Sequence, residues 1–220
     1  MKIDLHCHSY YSNDGISSPE KLIKIALKKG LDGIALTDHD TTQGWDVAIK
    51  SAKELNAILI LGEEIKTKRN GRVIGDILGL FLNKEIKNRE PIEVIKEIKD
   101  QGGIAIIPHP FHFPEKFKEN LEKYVELIDG IEIFNARLPF SFFDKKAFKF
   151  AQKYNLIMTA GSDAHYHRDV GNAYTIAENV EDLEEFKKAI LNKKTKIKGK
   201  KSPILYLIIP TLARIKNLPR

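Results

Sequence analysis

The sequence predicts an α/β protein built as a small β/α barrel, and two observations carry that expectation. Short apolar runs of β type alternate with stretches of helical periodicity along the chain. Histidines and acids gather at the C-terminal ends of those runs, where barrels build their active sites. At 220 residues one core suffices, because single cores usually stop growing near ~250 to 300 residues.

The strand candidates are Ile3 to His8, Gly33 to Asp38, Ile58 to Glu64, Val73 to Phe81, Gly103 to Pro108, Gly130 to Asn135 and Ile157 to Ser162. Helices are expected at 18–29, 43–55, 91–101, 114–127, 141–154 and 181–191. Two of them have legible starts: Ser18-Pro19-Glu20 sets an N-cap before a first-turn proline, and Pro91 opens its helix the same way. The second pair of long runs, 58–64 and 73–81, leaves no room for a helix and reads as a hairpin around Asn70-Gly71. That pairing argues against a perfect eightfold barrel.

No 20- to 50-residue repeat, low-complexity segment or linker interrupts the chain. Composition divides it into a barrel over residues 1–190 and a basic tail over 191–220. The formal charge is +6, yet residues 187–220 hold eleven Lys/Arg and no acid, so the remainder is mildly acidic. The lysine pairs of the tail are expected to be solvated surface, with attraction to a nucleic-acid backbone as the alternative. Within the tail, Ile204-Leu205-Tyr206-Leu207-Ile208-Ile209 lies between Pro203 and Pro210. It is too short to span a bilayer and is expected to dock against the barrel.

No apolar run approaches the ~18 residues of a membrane span, and the N-terminus carries Asp4 and His6 where a signal peptide needs unbroken apolar sequence. One cysteine, Cys7, cannot form an internal disulfide. Both features lead to the expectation of a cytoplasmic protein. Cys7 lies between two histidines in a strand, so its side chain is expected on the opposite face, in the core.

Five of the seven histidines fall at strand ends. His6 and His8 form a His-x-His pair in which both imidazoles share one strand face, about 6.6 Å apart along the strand, close enough to converge on a metal. Asp14-Gly15 follows. Asp38-His39-Asp40 ends the apolar run 33–36, where three ionisable groups are costly to bury unless a cation or hydrogen bonds offset them. Glu63-Glu64 follows another apolar run, and alternation lets only one of the two face inward. Asp76 can supply a further oxygen ligand. His109 is stiffened by Pro108 and Pro110. Asp163 and His165 close the series on one face of the last strand. His112 and His167 lie further into loops and are read as loop residues. A purely structural role leaves the shared position of these groups unexplained, so a polynuclear metal site is expected.

In this combination the sequence resembles the polymerase and histidinol phosphatase (PHP) family. The resemblance runs from His6 to about residue 175. It rests on His6-x-His8, Asp14-Gly15, Asp38-His39-Asp40, Gly62-Glu63-Glu64-Ile65, His109-Pro110, Glu132-x-x-Asn135 and Ser162-Asp163-Ala164-His165. It implies a distorted, TIM-like (β/α)7 barrel that holds two or three divalent ions, Mn, Zn or Fe, and hydrolyses phosphate esters. Carried over by position, it implies one ion among His6, His8, Glu64 and Asp163. Glu64 would bridge to a second ion held by His109, with Asp76 where many members have histidine. Asp14, His39 and His165 would hold a third.

In such a centre a metal-activated water is the attacking group, with Asp38, Asp40 and His165 as candidates to protonate the leaving oxygen. Phosphate also invites forked cations. Arg137 and Arg168, just beyond strand ends, are the expected substrate contacts, together with Asn135. Two substrate classes stay open: a phosphorylated small molecule or nucleotide, cut as a monoester or diester, and nucleic-acid ends, with the basic tail adding backbone affinity. A non-enzymatic RNA- or protein-binding barrel is disfavoured, because it predicts degraded metal ligands. The 44 residues between Glu64 and His109 leave the site without the inserted lid domain of some nucleotide-cleaving members.

Overall fold

A computed structural model describes residues 1–113, 116–206 and 208–209. A single nine-stranded sheet runs in the order β7-β6-β5-β4-β3-β2-β1-β8-β9. Its strands are β1 (Lys2–Cys7), β2 (Gly33–Leu36), β3 (Ile58–Arg69), β4 (Arg72–Leu80), β5 (Ile104–Ile107), β6 (Gly130–Asn135), β7 (Ile157–Gly161), β8 (Ala173–Ala177) and β9 (Thr195–Gly199). The helices are α1 (Pro19–Lys28), α2 (Trp45–Leu55), α3 (Pro91–Asp100), α4 (Ser141–Lys153) and α5 (Leu183–Leu191).

The seven expected strands form the barrel. β1 pairs parallel with β2 and β2 with β3, the hairpin makes β3–β4 antiparallel, β5 joins β4 antiparallel, and β6 and β7 return to parallel pairing. The residues just past β7 close the ring on β1: Ala164 bridges Cys7, and the His8 amide donates to the Ala164 carbonyl at 2.9 Å. β8 and β9 then extend the sheet from β1 as antiparallel strands.

Three features depart from the sequence reading, the first being β8, since Ala173–Ala177 lies outside every expected strand. Thr195–Gly199, assigned by charge to the tail, is the edge strand β9; its lysines alternate with Thr195 and Ile197 and conceal the strand pattern. No α-helix spans the expected 114–127. Residues 114 and 115 lie outside the described residues, and beyond them only Leu121–Tyr124 form a single 3-10 turn. Phe117, Leu121 and Tyr124 keep helical spacing and are buried. However, the amides of Phe117 and Lys118 donate to the carbonyls of Pro110 and Ile74, bonds that draw this stretch away from an internal ladder. Of the tail, Ile204 and Leu205 are exposed; Leu207 and residues 210–220 lie outside the described residues.

Strand alternation sorts the apolar residues into two layers. Ile34, Leu36, Ile65, Ile77, Ala105, Ile107 and Ile131 face outward and pack under α1, α2 and α3 through Leu22, Ile23, Trp45, Ala48, Val94 and Ile98. Ile3, Leu5, Ala35, Ile60, Leu78, Leu80, Ile104, Ile106 and Ile157 face inward, and Phe186 and Ile190 of α5 join them to close the bottom of the barrel. Cys7 lies in the outer layer, fully buried.

Candidate metal centre

Above the inner apolar layer the same alternation turns polar. On β3, Ile60 faces inward, so Glu64 does too, while Glu63 faces out and its carboxylate accepts from the Ile86 amide at 2.9 Å. On β4 the inward set is Asp76, Leu78 and Leu80; on β6 it includes Glu132. A register shift between Asp4 and Cys7 of β1 lets Ile3 and Leu5 point inward low in the barrel and His6 and His8 point inward higher up. Gly161 opposite makes room for them, since a Cβ there would lie 2.3 Å from the Cβ of His6.

The result is a buried cluster centred on Glu64. Its Oε2 lies 3.1 Å from His6 Nε2, 3.2 Å from His8 Nε2 and 3.2 Å from His39 Nδ1; its Oε1 lies 3.2 Å from His109 Nε2. Asp163 Oδ1 adds contacts at 3.4 Å to His8 Nε2 and 3.3 Å to His165 Nδ1. Asp14 Oδ2 lies 3.2 Å from His165 and 3.5 Å from His39. Backbone conformation contributes: Asp163 (φ 53°) and His109 (φ 30°) both occupy the left-handed region, a local cost that surrounding structure sustains at functional sites.

Three sets of side chains bring their ligand atoms within 4.8 Å of one another: His6 with Glu64 and His109; His6 with His8 and Asp163; and His8 with His39 and His165. The donor set fits divalent ions. His8 Nε2, His39 Nδ1, Asp76 Oδ1 and Asp14 Oδ1 are buried with no hydrogen-bond partner, although carboxylate oxygens lie 3.2 Å from the two imidazole atoms. Ligands that share one ion at ~2.0 to 2.1 Å stand about 3.3 Å apart without bonding to each other, and an uncompensated buried polar atom is otherwise costly. Imidazole and carboxylate without thiolate suits Zn, Mn or Fe.

An outer layer orients these ligands. His6 Nδ1 donates to Glu132 Oε1 at 3.0 Å, which frees its Nε2 lone pair for the cluster. Glu132 Oε2 accepts from the His109 amide and from Asn135 Nδ2, and Asn135 also donates to Asp163 Oδ2 at 3.2 Å. His8 Nδ1 donates to Ser12 Oγ at 3.2 Å, and Ser12 donates to Asp38 Oδ1 at 2.9 Å.

Electrostatics follow from this crowding. Burial opposes the charge of Glu64, but the imidazoles of His6, His39 and His109 outweigh it and hold the carboxylate well below its usual range. Asp163 is held low in the same way, by His6, His165 and His8 against burial. In return, and again against burial, Glu64 raises His109 to about 10, and Asp14 and Asp163 raise His165 to about 9. Asp76 is pushed up to about 6, by burial first and then by the Glu64 charge.

The cluster floors a cavity of about 250 Å³. Asp14, His39, Glu64, Asp76, His109, Asp163 and His165 reach its wall, and Lys66, Lys116, Lys118 and Arg137 supply positive charge around it. His6 and His8 lie beneath, fully buried. Several expected site residues stand elsewhere. Asp38 is turned back into the protein, where its carboxylate accepts from the Ser9 amide and hydroxyl and from Ser12. Asp40 stands outside the cavity wall, 3.3 Å from Arg89 Nε, and accepts from the Lys66 amide. Asn135 is buried among the ligands, and Arg168 lines a different cavity. Sequence reasoning missed the roles of Glu132, an acid on the inward face of β6, and of Ser12, which carried no signal. It also missed Lys66, Lys116 and Lys118.

The fold and site therefore define a mixed α/β barrel with a buried histidine–carboxylate cluster suited to divalent metal ions. The family model described as the PHP domain matches residues 4–201. Among curated relatives, the chain is 39% identical over 148 residues to the uncharacterized protein MJ1587 of Methanocaldococcus jannaschii, covering 62% of this chain and 82% of that one. It is 48% identical over 83 residues to a 5'-3' exoribonuclease of Haemophilus influenzae, covering 38% of this chain and 30% of the relative. Among solved structures, it is similar to a two-domain protein of Bacteroides vulgatus containing a predicted PHP-like metal-dependent phosphoesterase. There the TM-score is 0.76 at 24% identity, over 91% of this chain and 65% of the other. The chain belongs to the PHP domain family.

Proposed function

We propose that the protein hydrolyses phosphate esters of a phosphorylated small molecule or nucleotide, using two or three divalent ions held by the cluster. The observation that carries this reading is the convergence of His6, His8, His39, His109, His165, Glu64 and Asp163 beneath a cavity ringed by cations. His6, His8, Glu64 and Asp163 would hold one ion, His109 with Glu64 and Asp76 a second, and Asp14, His39 and His165 a third. Bound there, the ions supply a water acidified toward neutral pH and positive charge for phosphate oxygens.

The chain's own residues account for the rest. Arg137 brings a forked donor to the cavity, with Nη1 buried and unpartnered, suited to two phosphate oxygens. Lys66, Lys116 and Lys118 draw an anionic ester into the opening. Of the three groups that could protonate the leaving oxygen, His165 alone reaches the cavity wall. It could do so only with the third ion absent, since as its ligand it would be neutral, whereas Asp38 orients His8 through Ser12. Asn135 acts on substrate only by holding Asp163 and Glu132.

A second reading, cleavage at nucleic-acid ends, is favoured by the local identity to the Haemophilus exoribonuclease. Phosphate release by the Mn-loaded protein from small phosphate esters, nucleotides and short oligonucleotides tests both, with Asp163→Ala as control. Turnover by wild type alone supports the phosphoesterase, and inert metal-loaded wild type overturns it. A steep loss of oligonucleotide cleavage with added salt selects the second reading.

A further inference from the structure

The loop after β7 serves two cavities. It carries His165 into the one above the cluster, and two residues later it carries His167 and Arg168 into a second cavity of about 660 Å³. The other cationic walls come from separate parts of the chain: Lys28 and Lys29 from the end of α1, and Lys200 and Lys201 from the stretch after β9. We propose that this second cavity binds the phosphate groups of an anionic ligand.

Charge balance carries the argument. Among the described residues no Asp or Glu lines the cavity. Two of its cations already have protein partners. Lys29 Nζ donates to the carbonyls of Arg168 and Val170 at 2.7 and 2.6 Å, and Lys201 pairs with Asp144 and donates to the Asn135 carbonyl. Lys28, Arg168 and Lys200 have no ion pair among the described residues, although each comes from a different segment and all line one concavity. Burial first, and then the neighbouring Lys200 charge, push the Lys29 ammonium below its ordinary pKa, against the opposing pull of Asp4 and Asp169. Lysines at the end of α1 alone would be explained by the helix dipole. Arg168 and Lys200 belong to no helix end, and like charges converging on a concave wall repel unless an external anion matches them. A forked arginine beside two lysines suits phosphate oxygens, and the volume exceeds what one phosphate requires.

This site does not depend on ester hydrolysis, so it is tested by binding. The variant is the double substitution Lys28→Glu/Lys200→Glu in the full metal-loaded chain; both side chains are exposed, and circular dichroism checks the fold. The control is Lys50→Glu/Lys53→Glu on α2, of equal charge change. Fluorescence anisotropy with a labelled oligothymidylate and with a fluorescent ADP analogue reads the affinity for each. At least a tenfold weakening of either probe in the first variant, with the control unchanged, supports the site. Loss confined to the oligothymidylate identifies the ligand as a strand, and loss confined to the ADP analogue identifies a free nucleotide. Affinities unchanged for both probes, or weakened equally in the control, overturn it. Failure of phosphoester hydrolysis with the binding difference intact would remove the proposed catalytic function and leave this site standing.

Discussion

The lower and upper halves of the barrel interior are made by the same strands and have opposite character. β3 contributes Ile60 below and Glu64 above, β5 contributes Ile104 and Ile106 before the chain reaches His109, and β7 contributes Ile157 before Asp163. The lower half is apolar and is closed by Phe186 and Ile190 of α5. The upper half buries imidazoles and carboxylates, several of which have no hydrogen-bond partner. Burial therefore stabilises the lower half outright, whereas the upper half would gain stability from divalent ions that its donor set suits. The difference separates stability from chemistry along a single strand, the division expected of barrels.

The strongest way to break this division is at Glu64, whose two oxygens touch four imidazoles. Glu64→Ala is expected to lower metal affinity and turnover by more than about a hundredfold, beyond the loss typical of an outer-layer partner. Its thermal stability without metal should also fall at pH 7, because removing one partner of a buried pair leaves the imidazoles of His6 and His109 without their counter-charge. Calorimetric metal titration and a melting curve measure the two. Collapse of the fold with unchanged metal affinity in the folded fraction would show that the upper half is structural.

Ile106→Ala is the converse test in the lower half. The side chain is fully buried, so truncation should cost about 2 to 5 kcal/mol in denaturant unfolding and leave the metal affinity unchanged. A shift in metal affinity comparable to the stability loss would mean that the halves are mechanically coupled. Next in size is Glu132→Gln, which replaces an acceptor from His6 and from the His109 amide by a group that is partly a donor. A fall of about 10- to 100-fold in metal affinity is expected, read by competition with a chromogenic chelator.

The two halves also differ in how far the sequence disclosed them. All seven barrel strands were legible, because a strand buried on both faces is an unbroken apolar run. Period two required that only one of Glu63 and Glu64 face inward, and the family resemblance, not the alternation, singled out Glu64. The bulge in β1 left no such trace: strict alternation from Ile3 and Leu5 would have sent His6 outward. Asp38 ends its apolar run beside His39 and looks equally poised for chemistry, but hydrogen bonds from Ser9 and Ser12, distant in sequence, turn it inward to support His8. The ring of Lys66, Lys116 and Lys118 was hidden for a similar reason, since lysine is common on any surface and only the fold brings these three to one opening. β8 is short, with alanine at both ends, and β9 is disguised by lysine.

The smallest effect is a proton count, and its sign follows from the cluster itself. In the metal-free protein Glu64 and the neighbouring acids raise His109 to about 10, and Asp14 and Asp163 raise His165 to about 9. Both imidazoles are then protonated at pH 7, whereas a metal ligand must be neutral. Loading divalent ions at pH 7 should therefore expel protons, visible as acidification of a weakly buffered indicator solution. Apparent affinity should rise as pH increases from 7 toward 9, where His165 loses its proton without help, and the number of protons released should fall over the same range. The lower half of the barrel holds no titratable side chain among its inward residues, so Ile106→Ala should leave this profile in place, while Asp14→Asn, by removing a charge that holds the His165 proton, should flatten it. Affinity independent of pH between 7 and 9 would mean that the histidines already stand neutral, and the upper half would then be an ordinary polar core rather than a site kept charged for its ions.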